Sequence, residues 1–251
     1  MRGTFFQKPF EYSFDIQGEK WKQGESVQGI CTLKNHGAED VSLDNYVLGI
    51  AFADHKKVKA KDPKAFQFIS QQSIEGQTVK QAGEETIDFT LTLKDSDPIS
   101  ENTKGMYFVC GPSENIFDGG LLEIPVEPVQ IVSEFLELFK RFYRFELKAL
   151  KNKKGFIEAK MLPPGSKDLG AVEQLMLLIK LEDEVLKLKY QFKVKKLTYD
   201  TGDVKAASQK IDIESTLDKK QYSAFGGSLN QEGIQAAISE VLDQVKRKTT
   251  Y

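Results

Sequence analysis

The residue types that most often carry enzymatic chemistry are sparse in this 251-residue chain. It has two histidines, His36 in a turn-like stretch and His55 in a lysine-rich one, so a His-based catalytic triad or a multi-histidine metal site is not expected. The sequence also lacks a Gly-x-Ser-x-Gly elbow, a glycine-rich phosphate loop and a Cys-x-x-Cys pair. We therefore expect a protein that is not an enzyme, with no catalytic residues, no cofactor and no metal centre.

Two groups of charged residues are candidate ligand sites. The first is the basic segment, residues 55–64, whose lysines are Lys56, Lys57, Lys59, Lys61 and Lys64. A run of this kind is usually a solvated loop, and we favour that interpretation over an anion site. The second is an acidic group, Asp88, Asp95 and Asp97, with ligand types that suit calcium. Because Asp-Ser-Asp-Pro is also a typical turn sequence, we favour a turn there.

Composition narrows the class of partner and the compartment. Lys plus Arg number 35 and Asp plus Glu number 37, so a net charge of -2 provides no general attraction to nucleic acid or to an anionic membrane. The two cysteines, Cys31 and Cys110, stand in apolar strand patterns, which favours reduced core residues over a disulfide. The first ten residues do not resemble a secretory signal, and no apolar run approaches the ~18 residues of a membrane span. We expect a cytoplasmic protein with no integral membrane segment.

Apolar residues alternate with polar ones over much of the chain, which predicts antiparallel strands that are each buried on one face. The pattern is clear from Phe10 to Ile16 and from Ile87 to Leu93, and the first half contains seven or eight such strands separated by turns. Short strands are also expected over residues 66–69 and 74–79. That spacing is typical of a β-sandwich. In the second half, Leu186 to Val194 alternate with a lysine row formed by Lys187, Lys189, Lys193 and Lys195. We interpret the lysine row as a solvated sheet face rather than a site for acidic partners.

Two segments have helical spacing instead. Val132 to Phe145 predicts a short helix, with Ser133 as its cap, although its aromatic residues would also suit a strand. After Gly226-Gly227, Asn230 is a suitable cap for a tail helix. Its apolar stripe is Ile234, Ile238, Val241, Leu242 and Val245. This stripe either packs on the second half of the chain or binds a partner, and self-association through it is a further alternative.

The order of turns and strands resembles the arrestin-like fold, in which two β-sandwiches follow each other along the chain. Lys22 to Gly29 is similar to the family's turn into its second strand, and Ala82 to Phe89 resembles the opening of a central strand. Pro98-Ile99-Ser100 and Glu123 to Val126 resemble later elements of the N-terminal sandwich. Within the superfamily, the nearest likeness is to bacterial sporulation-control arrestin-like proteins. It covers residues 10–128 and, less closely, 145–218.

This resemblance implies an all-β fold of two tandem antiparallel sandwiches, to which the sequence adds a C-terminal amphipathic helix. We predict an N-terminal sandwich over 1–128, a connecting segment over 129–144, a C-terminal sandwich over 145–225 and a tail helix over 226–251. The resemblance also implies a non-enzymatic adaptor or scaffold in signalling or trafficking, which binds another protein through sheet edges, loops and the tail helix. The alternative is a sandwich that binds an anion or a carbohydrate through the basic segment.

Overall fold

The structure is a computed structural model that describes residues 1–166, 169–200, 203–224 and 228–249. The chain divides into two compact units, Met1–Glu127 (unit 1) and Pro128–Tyr251 (unit 2). Each unit is described by itself below. None of the helices within the described ranges is both long and apolar enough to cross a bilayer.

Unit 1 is built from antiparallel strands joined by short turns. Its strands are β1 (Arg2–Gln7), β2 (Phe10–Ile16), β3 (Trp21–Lys22), β4 (Ser26–Asn35), β5 (Val41–Ser42), β6 (Tyr46–Asp54), β7 (Phe66–Ser73), β8 (Thr78–Val79), β9 (Glu84–Thr92), β10 (Lys104–Pro112), β11 (Gly120–Ile124) and β12 (Val126–Glu127). A short helix, α1 (His55–Lys59), follows β6, and a 3-10 helix (Ile116–Asp118) precedes β11.

Two four-stranded sheets of unit 1 face each other across one apolar core, which makes it a β-sandwich. The first sheet has the order β1-β2-β4-β9, and the second has the order β11-β10-β6-β7. Aromatic residues bridge the two layers: the Phe14 ring lies edge-on to Phe108 at 4.8 Å, and the Phe89 ring stacks on Phe108 at 4.4 Å. The predicted alternation is confirmed in β2, where Phe10, Tyr12 and Phe14 are all buried.

The outer face of the second sheet is also covered, by side chains from α1, the start of β7 and the 3-10 helix. Tyr107 and Val109 of β10 form a smaller apolar cluster with Ile116 of the 3-10 helix, and Val58 of α1 and Phe66 pack against it. The basic segment therefore does not extend freely into solvent. It starts as one helical turn that lies back on the sheet.

Unit 2 contains one five-stranded antiparallel sheet in which every strand pairs with the next in sequence. The strands are β13 (Glu146–Lys153), β14 (Phe156–Leu162), β15 (Val172–Glu182), β16 (Val185–Asp200) and β17 (Asp203–Leu217). Lys154-Gly155 joins β13 to β14, and Asp183-Glu184 joins β15 to β16. All four turn residues have positive φ, as a two-residue hairpin turn requires.

Helices form the second layer of unit 2. They are α2 (Gln130–Arg141), α3 (Lys219–Tyr222) and α4 (Gln231–Thr249). Helix α2 contacts β13, β15 and α4, while α4 contacts β17 and α3. Aromatic packing joins the layers, since the Phe139 ring lies 6.4 Å from that of Tyr190. The predicted fold class, mainly antiparallel β-sheet with a C-terminal helix, is confirmed. In unit 2, however, the layer that faces the sheet is helical.

The helix predicted between the two halves is present, but it starts earlier than expected. It begins at Gln130 and has Val129 as its cap, without a capping side chain. Ser133 lies inside the helix, and its Oγ donates to the Pro128 carbonyl at 3.2 Å. The proposed Ser133 cap is therefore wrong. For the tail helix, Asn230 does act as expected, because its Oδ1 accepts from the backbone N–H of Gly233 at 3.1 Å.

Candidate interaction surfaces

The basic segment is organised around two aspartates. Asp54 caps α1, with Oδ1 accepting from the backbone N–H groups of Lys56 at 2.9 Å and Lys57 at 3.4 Å. These bonds, the one from Lys56 above all, lower the pKa of Asp54. Asp62 Oδ1 accepts from the Lys64 backbone N–H at 2.9 Å. Backbone donors that an anion would need are thus already occupied by carboxylates.

The lysine side chains of the basic segment have a different environment. Lys56, Lys57, Lys59, Lys61 and Lys64 are all exposed. The ion pairs recorded within 4.0 Å among the described residues involve none of these five ammonium groups. The backbone of the segment lies on the sheet, while its five lysine side chains are exposed to solvent and form a positive patch.

Both histidines make local contacts. His55 Nδ1 lies 2.8 Å from the Tyr107 hydroxyl, and its Nε2 lies 3.8 Å from a Glu123 oxygen. Burial, and then the Glu123 charge, raise the pKa of Tyr107 to about 12. His36 Nε2 lies 2.9 Å from Glu11 Oε2. His55 therefore links α1 to the sheet, which is a structural role.

The remaining polar candidates are explained by local structure. Asp97 Oδ2 accepts from the Lys94 backbone N–H at 2.7 Å, as in a turn. Cys31 and Cys110 are free and buried. The hydrogen bond from Cys110, followed by burial, raises the pKa of the Cys31 thiol. Within the ranges that the structure describes, no three His, Cys, Asp or Glu side chains are grouped closely enough to hold a metal ion.

The lysine row on β16 is largely neutralised by neighbouring carboxylates. Lys187 pairs with Glu182, Lys189 pairs with Glu214 at 2.8 Å, and Lys193 pairs with Glu173 at 2.8 Å. Hydrogen bonds from Lys180 and Lys187 lower the pKa of Glu182 to about 2. This face is a solvent-exposed network of ion pairs, so it has little net charge with which to attract an acidic partner.

The apolar stripe of the tail helix is turned inward. Ile234, Ile238, Val241, Leu242 and Val245 are all buried, with exposures of 3 % or less. The helix is also held by a polar contact, because the Tyr143 hydroxyl donates to the Gln235 carbonyl at 2.8 Å and lies 2.7 Å from Ser239 Oγ. The structure thus corresponds to the alternative in which the tail packs on its own unit. A role of this stripe in partner binding, or in self-association, would require release of α4.

One surface was missed in the sequence: strand β7 at the edge of the second sheet. The sequence suggested short strands over residues 66–69 and 74–79. In the structure the first is longer, with 8 residues (Phe66–Ser73), and the second is limited to β8, Thr78–Val79. In the part of the chain that the structure describes, β7 pairs only with β6. Most of its side chains are exposed, including Phe68 at 38 %. A signal was available, since these residues include no charge and no proline.

The other edges of the two four-stranded sheets are protected by charge. They are β1, which carries Arg2; β9, which carries Glu84, Glu85 and Asp88; and β11, which carries Glu123. Natural sheets commonly place charges or proline on such edges to prevent pairing with another chain. Strand β7 has neither of these, although it has a β-bulge at Ile69, opposite the step from Ile50 to Ala51. It is therefore the least protected edge of the two four-stranded sheets.

Two stacked four-stranded sheets, followed by a second unit of antiparallel strands with a terminal helix, define an arrestin-like fold. The chain is similar in structure to the sporulation control protein Spo0M from Bacillus subtilis, with a TM-score of 0.63 and 16% sequence identity. The match covers 92% of this chain and 96% of that chain. The expected likeness to the sporulation-control arrestin-like proteins is confirmed. At this identity it establishes the fold.

Other solved structures match much less of the chain. They include the DNA glycosylase AlkC from Pseudomonas fluorescens, bound to DNA with an abasic site analog, at a TM-score of 0.30 and 10% identity over 45% of this chain and 29% of that chain. A β-glucosidase from Listeria innocua matches at 0.29 and 14% identity over 48% and 16%. Scores this low carry no argument. The sequence matches no protein-family model and no curated protein.

Proposed function

We propose that this chain is a non-enzymatic adaptor that binds another protein by pairing β7 with an extended segment of that partner. The observation that supports it best is the 8-residue strand without charge or proline at the edge of the second sheet. Adding a strand to such an edge satisfies backbone groups of both chains, and the side chains on either face provide specificity. The partner segment would be extended and free of proline.

The side chains around β7 suit an apolar anchor from the partner. Phe68 stands opposite Ala51 of β6, whose small side chain is fully buried, while Phe68 keeps 38 % of its surface exposed. Apolar and aromatic groups on adjacent strands of one sheet face pack together. A partner residue that packs beside Phe68 would therefore contribute more to affinity than its neighbours.

A photo-crosslinking residue at position Gln71 tests this function. Gln71 is exposed near the middle of β7, and exposed Gln191 on β16 is the matched control position. In the cells that make the protein, we expect Gln71→photo-crosslinker to give an adduct with a second, different protein. Adding Phe68→Lys should abolish that adduct without changing the thermal unfolding midpoint. An equal yield from position 191, or no heterologous adduct, would refute the proposal.

The tail helix and the compartment enter this proposal as secondary features. Release of α4 would expose five apolar side chains, so the tail would act only in an opened form of unit 2. The released helix would then bind either the partner protein that pairs with β7 or α4 of a second copy of this chain. We keep the cytoplasm as the proposed compartment, where two unpaired buried cysteines would stay reduced.

The alternative function is anion or carbohydrate binding by the basic segment. Its support is the group of five exposed lysines without recorded ion pairs. The triple variant Lys57→Glu, Lys59→Glu and Lys61→Glu should then abolish binding to a polyanion such as heparin. Unchanged weak binding would remove this alternative and leave the segment as a solvated connection.

A further inference from the structure

We propose that β7 also pairs with β7 of a second copy of this chain, in an antiparallel dimer with two-fold symmetry. The two four-stranded sheets would join into one continuous sheet across the interface. The dimer would form at the same edge that the proposed function assigns to a partner protein, with β7 of a second copy in the partner's place. It would close the edge in the free protein, so that a partner has to displace the second copy.

The positions of the nearest charges identify this occupant. Lys64 and Glu75 are both exposed, and each lies two residues beyond an end of the uncharged strand. If two copies of Phe66–Ser73 overlap fully and run antiparallel, Phe66 faces Ser73 and the two-fold axis passes between Ile69 and Ser70. In that register, Lys64 of each copy faces Glu75 of the other. The dimer therefore contains the same attractive pair twice.

Both ends of β7 reinforce this arrangement. At the acidic end, the Ile74 backbone N–H donates to the Tyr46 carbonyl at 3.2 Å, so the chain still follows the sheet next to Glu75. A second carboxylate lies there, since Asp44 Oδ1 accepts from the Gly76 N–H at 2.9 Å. At the basic end, Lys61 adds a further exposed charge. The basic end thus has more lysines than carboxylates, even with Asp62 beside Lys64, and the acidic end carries carboxylates.

The bulge at Ile69 is compatible with the pairing. Regular pairing with β6 runs on both sides of it, through Phe66–Phe68 and through Ser70–Ser73. Under full antiparallel overlap, the first of these segments faces the second segment of the other copy. The bulges of both copies then meet beside the two-fold axis, where they interrupt the two symmetry-related rungs between Ile69 and Ser70. Pairing can form on either side of these rungs.

Symmetry provides a sharp test by charge reversal. Lys61→Glu with Lys64→Glu places like charges at both ends of the interface, and so does Glu75→Lys alone. Each variant should raise the dimer dissociation constant at least tenfold. An equimolar mixture of the two variants should restore dimerisation, because each reversed side chain of one copy then faces a group of opposite sign. Combining all three substitutions in one chain should restore it as well.

The measurement is sedimentation velocity of the full chain over a concentration series, for the wild type, the variants and the mixture. Lys160→Glu, a reversal at an exposed lysine on β14, is the control and should leave dimerisation unchanged. Hydrogen exchange should show that residues 66–73 become more protected as the dimer fraction rises. Thermal unfolding by circular dichroism verifies that each variant is folded.

Three results would overturn the inference. They are a wild type that stays monomeric at every concentration, a dimer insensitive to both reversals, and failure of the mixture to recover. These outcomes are separable from failure of the adaptor function. A monomeric wild type that still crosslinks a different protein at Gln71 would exclude the dimer and leave the adaptor function supported. A charge-dependent dimer without a heterologous adduct would support the dimer and exclude the adaptor function.

Discussion

The substitution Ile238→Ala decides whether the tail helix belongs to the body of unit 2. Ile238 is on the inward face of α4 with an exposure of 0 %. Replacing a fully buried isoleucine by alanine removes apolar contacts and leaves a cavity, at a cost of about 2–5 kcal/mol. For a domain whose total stability is about 5–15 kcal/mol, that loss is a large fraction.

The loss should be visible in urea unfolding followed by far-UV circular dichroism. With a denaturant dependence of about 1–3 kcal/mol per molar urea, a cost near ~3 kcal/mol lowers the midpoint of unit 2 by roughly 1–3 M. Glu240→Ala is the matched control, because Glu240 is exposed on the same helix. Its effect should stay within about 0.5 kcal/mol. Hydrogen exchange of α4 and β17 peptides assigns the change to unit 2.

A different outcome would show that the stripe is not part of a stable core. If Ile238→Ala and Glu240→Ala have equal midpoints, and α4 exchanges its amides at the rate of an isolated helix, then the tail is docked too weakly to count as core. The stripe would then be accessible to a partner without any opening step. Burial of all five stripe residues argues for the first result.

Three further changes test the packing and the electrostatics. Tyr143→Phe should cost about 0.5–1.5 kcal/mol in urea unfolding, because it removes the hydroxyl that donates to α4. Gly120→Ala should destabilise unit 1 by about 1–3 kcal/mol, since an added Cβ would lie 2.4 Å from the Phe14 ring, while Gly165→Ala has open space and should be neutral. Tyr107 has its pKa raised from 10.0 to about 12, so the unfolded chain loses this proton first and stability falls between those pH values. Tyr107→Phe should reduce that slope, which unfolding midpoints measured from pH 9.5 to 12 would detect.

Much of the strand content could be predicted because burial on one face imposes a period of two. Phe10 to Ile16 matches β2, and the lysine row lies on the exposed face of β16, as expected. The same rule could not show what covers the sheet of unit 2. The aromatic residues of α2 have both helical and strand-like spacing, and only tertiary packing on Tyr190 distinguishes the two.

The candidate sites were harder to predict, because accessibility is a property of the folded chain. The tail stripe has the pattern of a partner-binding helix, yet the same pattern is needed to pack on its own sheet. For β7 the difficulty is the reverse. Three glutamines and two serines make a weak strand signal, so the sequence suggested two short strands there. Its position at the end of a sheet depends on pairing between distant segments.

The lysines of the two units differ in how far neighbouring carboxylates neutralise them, and this difference supports pairing at the β7 edge. On β16, Lys187, Lys189 and Lys193 each face a carboxylate, so that surface is already balanced. Around β7, the five exposed lysines of the basic segment outnumber the neighbouring carboxylates of Asp54 and Asp62. The basic segment ends at Lys64 on one side of the uncharged strand, and Glu75 lies on the other side, a full strand length away. Neither group can reach the other within one copy along this edge, and antiparallel pairing of two copies brings them together. The salt dependence of the dimer therefore tests this arrangement. Salt screens charges that are exposed to solvent, over about 8–10 Å at physiological ionic strength, so raising the salt concentration should weaken a dimer formed through β7. A dimer formed through the apolar stripe of α4 should instead become stronger.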